Sequence, residues 1–459
     1  MSLISSIIRN YTLPWYLKRT NEHRQLDHLG YMQKYDTMSA YDLGKIQKKA
    51  FHKMMVHIYD NSPYYNKIYR HLGITPVDIS AFRDLCEFPI LTKDKIRANI
   101  DDILAKNYPQ SKRDQSATGG STGEPLVFWR DYECRDKKQA MNLNFKRWYG
   151  YQPGDKQLFF WGALQDFDQK KTLKSSLAKH LASRTWFVTS RDIESANFEA
   201  TVKLIRRLSP KLVIAYPNII YAFAKKVAQK NIALKFDTIA CSAEQFFDYQ
   251  REYLIETFKA EVFESYGSRE IGTIASECRK HRGMHYFSPG LYLETVDQEG
   301  NPAGSQMGKL LVTDLWNYAM PLIRYEIGDM VRMDYSDCPC GCRLPRIAQV
   351  AGRVVDTIVK PDGEIIAGQA LIKVIRKSEL PYKTQIIQKK PDQFEIRYES
   401  KTEMSPEKKK FIRDNYAKIF NQEVMIEFVK TDKIKREKSG KFRYIKSEID
   451  SPYSTKIKD

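Results

Sequence analysis

Helix-type spacing of apolar residues dominates the first part of the chain, and strand-type runs take over from about residue 156. Gln47–Tyr59 is predicted as an amphipathic helix stopped by Asn61-Ser62-Pro63, and Pro76 and Pro89 punctuate the stretch that follows. Asp131–Tyr149 reads as a charged helix ended by Gly150 and Pro153. Beyond it, short apolar runs alternate with amphipathic ones. Leu158–Trp161, Leu212–Tyr216, Thr238–Cys241 and Val262–Gly267 read as strands; Thr201–Leu208, Asn218–Gln229 and Phe246–Phe258 read as helices. Strand–helix–strand alternation with short links implies a mostly parallel sheet with covered faces. Ligands of such sheets sit at the carboxyl ends of the strands. Two segments are expected there, Cys241-Ser242-Ala243-Glu244 and Tyr266-Gly267-Ser268-Arg269-Glu270.

Between residues 286 and 352 the pattern becomes an alternation of period two, at Tyr292–Thr295, Lys309–Thr313 and Met330–Met333, as in antiparallel strands. Near Gly352-Arg353 the composition shifts again. The Lys-rich remainder has strand patterns at Gln385–Ile387, Phe394–Tyr398 and Val424–Phe428 and a helix pattern at Pro406–Phe420. The expected fold class is α/β. A large N-terminal domain, residues 1–352, holds mostly parallel sheets plus an antiparallel strand region, and residues 353–459 form a small α+β domain.

Composition changes this picture only in part. With 459 residues and 42% hydrophobic content, a sizeable core is expected. No run has the length of a transmembrane helix. Met1–Trp15 is apolar in places but lacks a small-residue cleavage site, so it reads as an N-terminal packing helix, with an amphipathic surface helix as the alternative. Seven cysteines, an odd number, argue against a disulfide framework and for the cytoplasm. The net charge of +19 admits a polyanionic partner, a nucleic acid or an anionic membrane. Lys430–Lys446 alone holds eight Lys/Arg against two Asp/Glu, yet no nucleic-acid-binding motif accompanies it, so no nucleic acid is expected.

The candidate chemistry begins at Ser116-Ala117-Thr118-Gly119-Gly120-Ser121-Thr122-Gly123-Glu124-Pro125. Glycines let backbone N–H groups approach an anion, and hydroxyls add donors. The loop has neither the P-loop nor the dinucleotide-fold glycine spacing, and a strand pattern at Pro125–Trp129 leaves it at once. A phosphate cradle is the functional reading; a plain Gly/Ser loop is the bland one. At Tyr266–Glu270 an aromatic face suits base stacking and a carboxylate suits magnesium. Asp329, after Gly328, suits a pair of ribose hydroxyls, and Lys441 could neutralise charge on a reacting carboxylate or phosphate. Taken singly, these are also ordinary turn residues and one lysine of a basic run. Cys278 and His285, with His281 between them, and the Cys338-Pro-Cys340-Gly-Cys342 knot hold four of the seven cysteines. Paired Cys/His knots are the usual source of a structural zinc site; idle thiols are the alternative.

These motifs follow the order and rough spacing of the adenylate-forming enzymes, the superfamily of acyl-CoA synthetases and adenylation domains. The Thr118–Pro125 loop resembles that superfamily's phosphate-binding signature. Asn61-Ser62-Pro63-Tyr64-Tyr65, Pro89-Ile90-Leu91-Thr92-Lys93 and the Cys/His knots resemble the phenylacetate–CoA ligase family and its capsule-biosynthesis relatives. The likeness spans nearly the whole chain. It implies that Thr118, Gly119, Gly120, Ser121, Thr122 and Gly123 hold the phosphates of ATP, and that Ser242, Ala243 and Glu244 border the adenine. It places Tyr266 on the adenine ring, with Gly267, Ser268 and Arg269 around the nucleotide. Asp329 is implied at the ribose, with Arg353 nearby. The catalytic group becomes Lys441, Glu270 and Thr122, with Glu270 also the magnesium ligand, and the zinc ligands become Cys278, His285, Cys338 and Cys340. Three positions depart from the superfamily: Leu126 replaces a basic residue, Arg269 replaces a threonine, and Val355 occupies the hinge position ahead of Asp356.

The activity so implied is ATP-dependent carboxylate:AMP ligation, with transfer of the acyl group to coenzyme A or to an amine or hydroxyl acceptor such as a sugar or surface polysaccharide. The C-terminal domain is implied to be a mobile lid, and a basic protein of this kind could also work at the inner face of the membrane. A non-catalytic or nucleic-acid-binding protein reusing the fold is the rival reading. It accounts for the charge but not for Glu270, Asp329 and Lys441 together.

Overall fold

The computed structural model describes residues 3–22, 24–118, 125–161, 184–189, 192–193, 198–353, 357–378, 383–434 and 442–449. They form two compact units. The first comprises Met1–Leu293, Val312–Tyr325 and Asp334–Ala348; the second comprises Glu294–Leu311, Glu326–Met333 and Gln349–Asp459.

The first unit opens with helices, as the spacing predicts. The helix expected at Gln47–Tyr59 runs over Ala40–Asn61. It starts early because the Ser39 hydroxyl accepts the Asp42 N–H at 3.1 Å, an N-cap the apolar pattern does not reveal. Pro63 then opens the helix Pro63–Leu72, and Gly73, at φ +67°, ends it. β1 (Arg113–Ala117) and β2 (Val127–Asp131) form an antiparallel hairpin, register Ala117 to Val127 at its tip. Asp131 closes β2 and caps the helix Tyr132–Trp148 by accepting the Cys134 N–H at 2.7 Å.

The parallel sheet follows. β3 (Gln157–Phe160), β4 (Thr185–Val188), β5 (Leu212–Ala215), β6 (Thr238–Cys241) and β7 (Glu261–Ser268) lie in the order β4-β3-β5-β6-β7, all parallel. Helices Phe198–Leu208, Pro217–Gln229 and Asp248–Phe258 connect or cover them. Leu158, Phe160, Val213, Ile220, Phe223, Ile239 and Phe258 pack into one buried cluster. Each such side chain contributes about 1.5–3 kcal/mol of burial. β8 (Gly272–Glu277) folds back antiparallel on β7, and β9 (Met284–Tyr286) follows it.

β10 (Leu291–Val296), β11 (Met307–Asp314), β12 (Tyr325–Asp334) and β13 (Arg346–Arg353) are each divided between the units and neighbour one another in chain order. The rest of the second unit holds the hairpin β14 (Thr357–Val359) and β15 (Ile365–Ala367). It also holds a four-stranded sheet of β16 (Thr384–Lys390), β17 (Gln393–Glu399), β18 (Met425–Thr431) and β19 (Ile445–Ser447), in the order β18-β17-β16-β19. The helix Pro406–Phe420 has the predicted bounds, capped by Ser405, and its Tyr416 and Phe420 pack on Phe394 of β17. The chain is thus mixed α/β with a separate smaller α+β sheet, as expected. Among the described residues no helix is long and apolar enough to cross a membrane.

The strand read at Val262–Gly267 runs over Glu261–Ser268, so Tyr266 and Gly267 lie within it as expected and Ser268 ends it, where β7 forms one arm of the hairpin with β8. One local expectation needs correction. Gly328 and Asp329 are not in a turn but inside β12, where Gly328 has φ +91°, a conformation open to glycine.

Candidate active site and metal centre

The β1–β2 hairpin carries the glycine-rich loop. Just past the strands, the Thr118 N–H donates to the Leu126 carbonyl at 2.9 Å and the Leu126 N–H donates to the Thr118 hydroxyl at 2.8 Å. Thr118 therefore pins the neck of the loop. Gly119, Gly120, Ser121, Thr122 and Gly123 lie outside the described residues. Arg269 donates from its guanidinium to the Ala117 carbonyl at 3.2 Å, which ties the tip of the β7–β8 hairpin to the base of that neck.

That tip is tightly built. Tyr266 is half-buried and stands opposite Ala275, and the register shifts between Tyr266 and Gly267. A Cβ on Gly267 would run into the Gly272 carbonyl and the Thr273 backbone, so a glycine is required there. The Ser268 hydroxyl accepts the Ile271 N–H at 3.2 Å. Glu270 is buried. Its Oε1 accepts the Tyr325 hydroxyl at 2.7 Å and lies 3.9 Å from the Lys93 ammonium. Two partners of Glu270 thus come from distant segments, and the sequence motifs point to neither. Lys93 sits in the Pro89–Lys93 stretch and begins the helix Lys93–Ala98, capped by Thr92. Tyr325 sits two residues after Ile323, whose N–H donates to the Tyr65 hydroxyl at 3.2 Å.

At the end of β6 the Ser242 N–H donates to the Ala215 carbonyl at 3.0 Å. Ala243 adopts φ +70°, the left-handed region that a residue with a Cβ enters at a cost of about 1 kcal/mol or more. Such strain is concentrated at binding sites. The Glu244 carboxylate accepts the Asn218 side-chain amide at 2.8 Å, at the start of the helix Pro217–Gln229. Asn218 in turn accepts from Gln250 at 3.0 Å. Asp329, on β12, and Arg353, the last residue of β13, belong to the second unit. Lys441 and the hinge positions Val355 and Asp356 lie outside the described residues.

The sulfur and imidazole groups converge within the first unit. One ligand atom from each of Cys278, His285, Cys338 and Cys340 can be chosen so that all lie within 4.8 Å of one another. Cys278 Sγ is 3.7 Å from Cys338 Sγ, and Cys340 Sγ is 3.4 Å from His285 Nε2. Cys278 follows β8, His285 is the middle residue of β9, and the cysteine knot lies between β12 and β13. His285 Nδ1 bonds the Leu344 carbonyl at 2.7 Å, which fixes the tautomer and turns Nε2 to the sulfurs. Burial and the neighbouring thiols push Cys340 up to about 12. Three thiols so crowded cannot ionise together unless a cation balances them, and three sulfurs with one imidazole suit a tetrahedral zinc site. The remaining candidates fall elsewhere. His281 Nδ1 meets Glu277 at 3.2 Å, and Cys342 packs against the apolar cluster of Leu29, Met32 and Leu344, with only its N–H directed at Cys340 Sγ, at 3.4 Å.

Comparison with known proteins gives a consistent picture. Residues 358–448 match the family described as the CapK C-terminal domain. Protein CapK of Staphylococcus aureus is 26% identical over 340 residues, 73% of this chain and 73% of the relative. The phenylacetate-coenzyme A ligase of Escherichia coli (strain K12) is 24% identical over 359 residues, 75% of this chain and 79% of that one. The structure of 2-hydroxyisobutyryl-CoA ligase in the postadenylation state aligns with a TM-score of 0.70 at 18% identity, over 90% of this chain and 91% of that one. That last likeness shows the fold.

Proposed function

We propose that this chain, a homologue of CapK and of the phenylacetate–coenzyme A ligases with the fold of the adenylate-forming enzymes, is an ATP-dependent carboxylate:AMP ligase. The observation that carries the reading is the bond from Arg269 to the Ala117 carbonyl. It sets the neck of the glycine-rich loop beside the hairpin that bears Glu270, as a shared phosphate and magnesium site needs.

On this reading a carboxylate oxygen attacks the α-phosphorus of ATP in line, and the bond to the bridging oxygen breaks. Acyl-adenylate and pyrophosphate result. The protein's work is positioning and charge compensation. Gly119–Gly123 cradle the leaving pyrophosphate, with Thr122 as a hydroxyl donor and Thr118 holding the loop's neck. Glu270 would hold a magnesium ion, whose charge offsets that of the phosphates. Tyr325 orients the Glu270 carboxylate, and Lys93 lies within reach of it. Tyr266 stacks on adenine, Ser242 to Glu244 border it, and Asp329 with Arg353 takes the ribose. Lys441 stabilises the forming adenylate. Residues 353–459 act as a lid over residues 1–352 and turn near 353–356, so that an acceptor can attack the acyl carbon and release AMP.

The acceptor is the thiol of coenzyme A or an amine or hydroxyl of a sugar in surface-polysaccharide synthesis. The former follows the named activity of the phenylacetate–coenzyme A ligases, the latter the capsule association that the CapK name suggests. Cys278, His285, Cys338 and Cys340 hold a structural zinc, and the protein works in the cytoplasm. Lys441→Ala tests the central role. Pyrophosphate exchange should fall by about a hundredfold or more while ATP affinity stays within a few-fold. Undiminished exchange would remove Lys441 from the chemistry.

A further inference from the structure

The first described residues form an amphipathic helix whose two faces have different fates. Leu3–Ile7, Ile8–Thr12 and Leu13–Arg19 follow one another without a break as α-, π- and α-helical turns. One face is anchored. Gly154, at φ +90°, lies so close beneath it that a Cβ would meet the Arg9 nitrogen and the Ser5 carbonyl at 3.1 Å. Arg9 donates to the Pro153 carbonyl at 2.8 Å and pairs with Asp155 at 3.5 Å, and the Ser5 hydroxyl accepts from Arg184 at 2.9 Å. The sequence expectation of a packing helix holds for this face.

The opposite face is apolar and uncovered. Ile4 is 60% exposed, Ile7 49%, Tyr11 72% and Trp15 59%. Steps of three, four and four residues put these side chains on one stripe. The C-terminal end of the stripe is cationic. Lys18 and Arg19 are exposed, the Arg19 guanidinium lies 5.6 Å from the centre of the Trp15 ring, and no Asp or Glu occurs between Leu3 and Arg19. Isoleucines on the stripe, an aromatic pair, basic residues at the edge and an anchored back are the features of a helix that lies in a lipid headgroup region. A protein carrying +19 is drawn to the same surface.

We propose that the Ile4-Ile7-Tyr11-Trp15 face docks this protein on anionic lipid membrane, with the helix axis in the plane of the interface. Charge complementarity selects that occupant: the exposed charged residues beside the stripe, Lys18 and Arg19, are both cations. The inference does not rest on the ligase reading, which the exchange reaction in lipid-free solution examines separately.

Flotation of the full chain with vesicles is the test. Vesicles of phosphatidylcholine with roughly one-third phosphatidylglycerol should carry the protein, and binding should weaken about tenfold or more on pure phosphatidylcholine or in about 0.5 M salt. The double substitution Ile7→Asp, Trp15→Asp should weaken binding by more than about tenfold with an unchanged melting temperature. If that variant fails to fold, Lys18→Glu with Arg19→Glu alters only exposed charge and should abolish the preference for anionic vesicles. Absence of binding to anionic vesicles overturns the proposal, as does binding that the substitutions leave intact. A concentration-dependent dimer that the apolar substitutions dissolve, without vesicle binding, would assign the face to a second copy and overturn it equally.

Discussion

Tyr325 donates its hydroxyl to Glu270 Oε1 at 2.7 Å, and both residues are buried. A hydrogen bond to a buried carboxylate is worth about 1.5–3 kcal/mol. If Glu270 holds magnesium, its orientation depends on that hydroxyl. Tyr325→Phe should lower pyrophosphate exchange about 10- to 100-fold and raise the magnesium concentration needed for half-maximal rate. A magnesium titration of both proteins measures this. An unchanged magnesium requirement would separate Tyr325 from the metal.

The cysteine–histidine cluster should carry one zinc per chain. Metal analysis of purified protein should show Cys338→Ser and His285→Ala losing it, together with much of the thermal stability. Cys342→Ser and His281→Ala should keep it, because those side chains engage the apolar cluster and Glu277 instead. Loss of zinc from the Cys342 variant would mean the ligand set is wrong.

Lys138 of the helix Tyr132–Trp148 forms an ion pair with Asp314, and both are almost fully buried. Removing one partner strands the other charge. Asp314→Asn should therefore cost about 3–5 kcal/mol in urea unfolding. Replacing both residues with apolar ones should cost much less.

Desolvation pushes the Lys146 ammonium down to about 8, although its amine donates to Gln157 at 3.1 Å and lies 5.7 Å from the centre of the Tyr151 ring. In the unfolded chain it titrates near its ordinary value of about 10.4. Between those values the unfolded state binds more protons, so this residue makes stability rise with pH from about 8 to about 10.4 and stay flat below. Lys146→Met should abolish that rise and stabilise the protein at neutral pH by about 1–3 kcal/mol. Melting temperatures of both proteins across pH 7–10 check it, with a variant that keeps the rise as the contrary result.

Much of this was legible in the residues. Leu212–Ala215 and Thr238–Cys241 are apolar runs because both faces of a central parallel strand are covered, and they were read within a residue of their bounds. The helix Pro406–Phe420 has the bounds its pattern predicts, and the Ser405 cap and Pro406 in its first turn account for where it starts. β1, with the sequence Arg-Asp-Gln-Ser-Ala, was invisible because a polar hairpin strand has no apolar alternation to display. The helix Gln369–Lys377 and strands β8, β9 and β13 also escaped, being short or irregular in pattern. The two Cys/His knots stand out in the sequence because such residues seldom cluster by chance, and the resemblance implies which four of them are ligands. Choosing Cys340 over Cys342 rests on the resemblance; in the structure Cys340 Sγ lies 3.4 Å from His285 Nε2, while Cys342 packs on the cluster of Leu29, Met32 and Leu344. The contacts of Glu270 with Lys93 and Tyr325 join segments far apart in the chain, and only folding displays them.

Carboxylate-dependent exchange of radiolabelled pyrophosphate into ATP bears most directly on the proposed ligase. Across a panel of aromatic, aliphatic and hydroxy acids, at least one should drive exchange that needs magnesium and disappears in Glu270→Gln. No exchange with any acid, accompanied by salt-sensitive binding to DNA, would contradict the ligase and favour a fold reused for nucleic-acid binding.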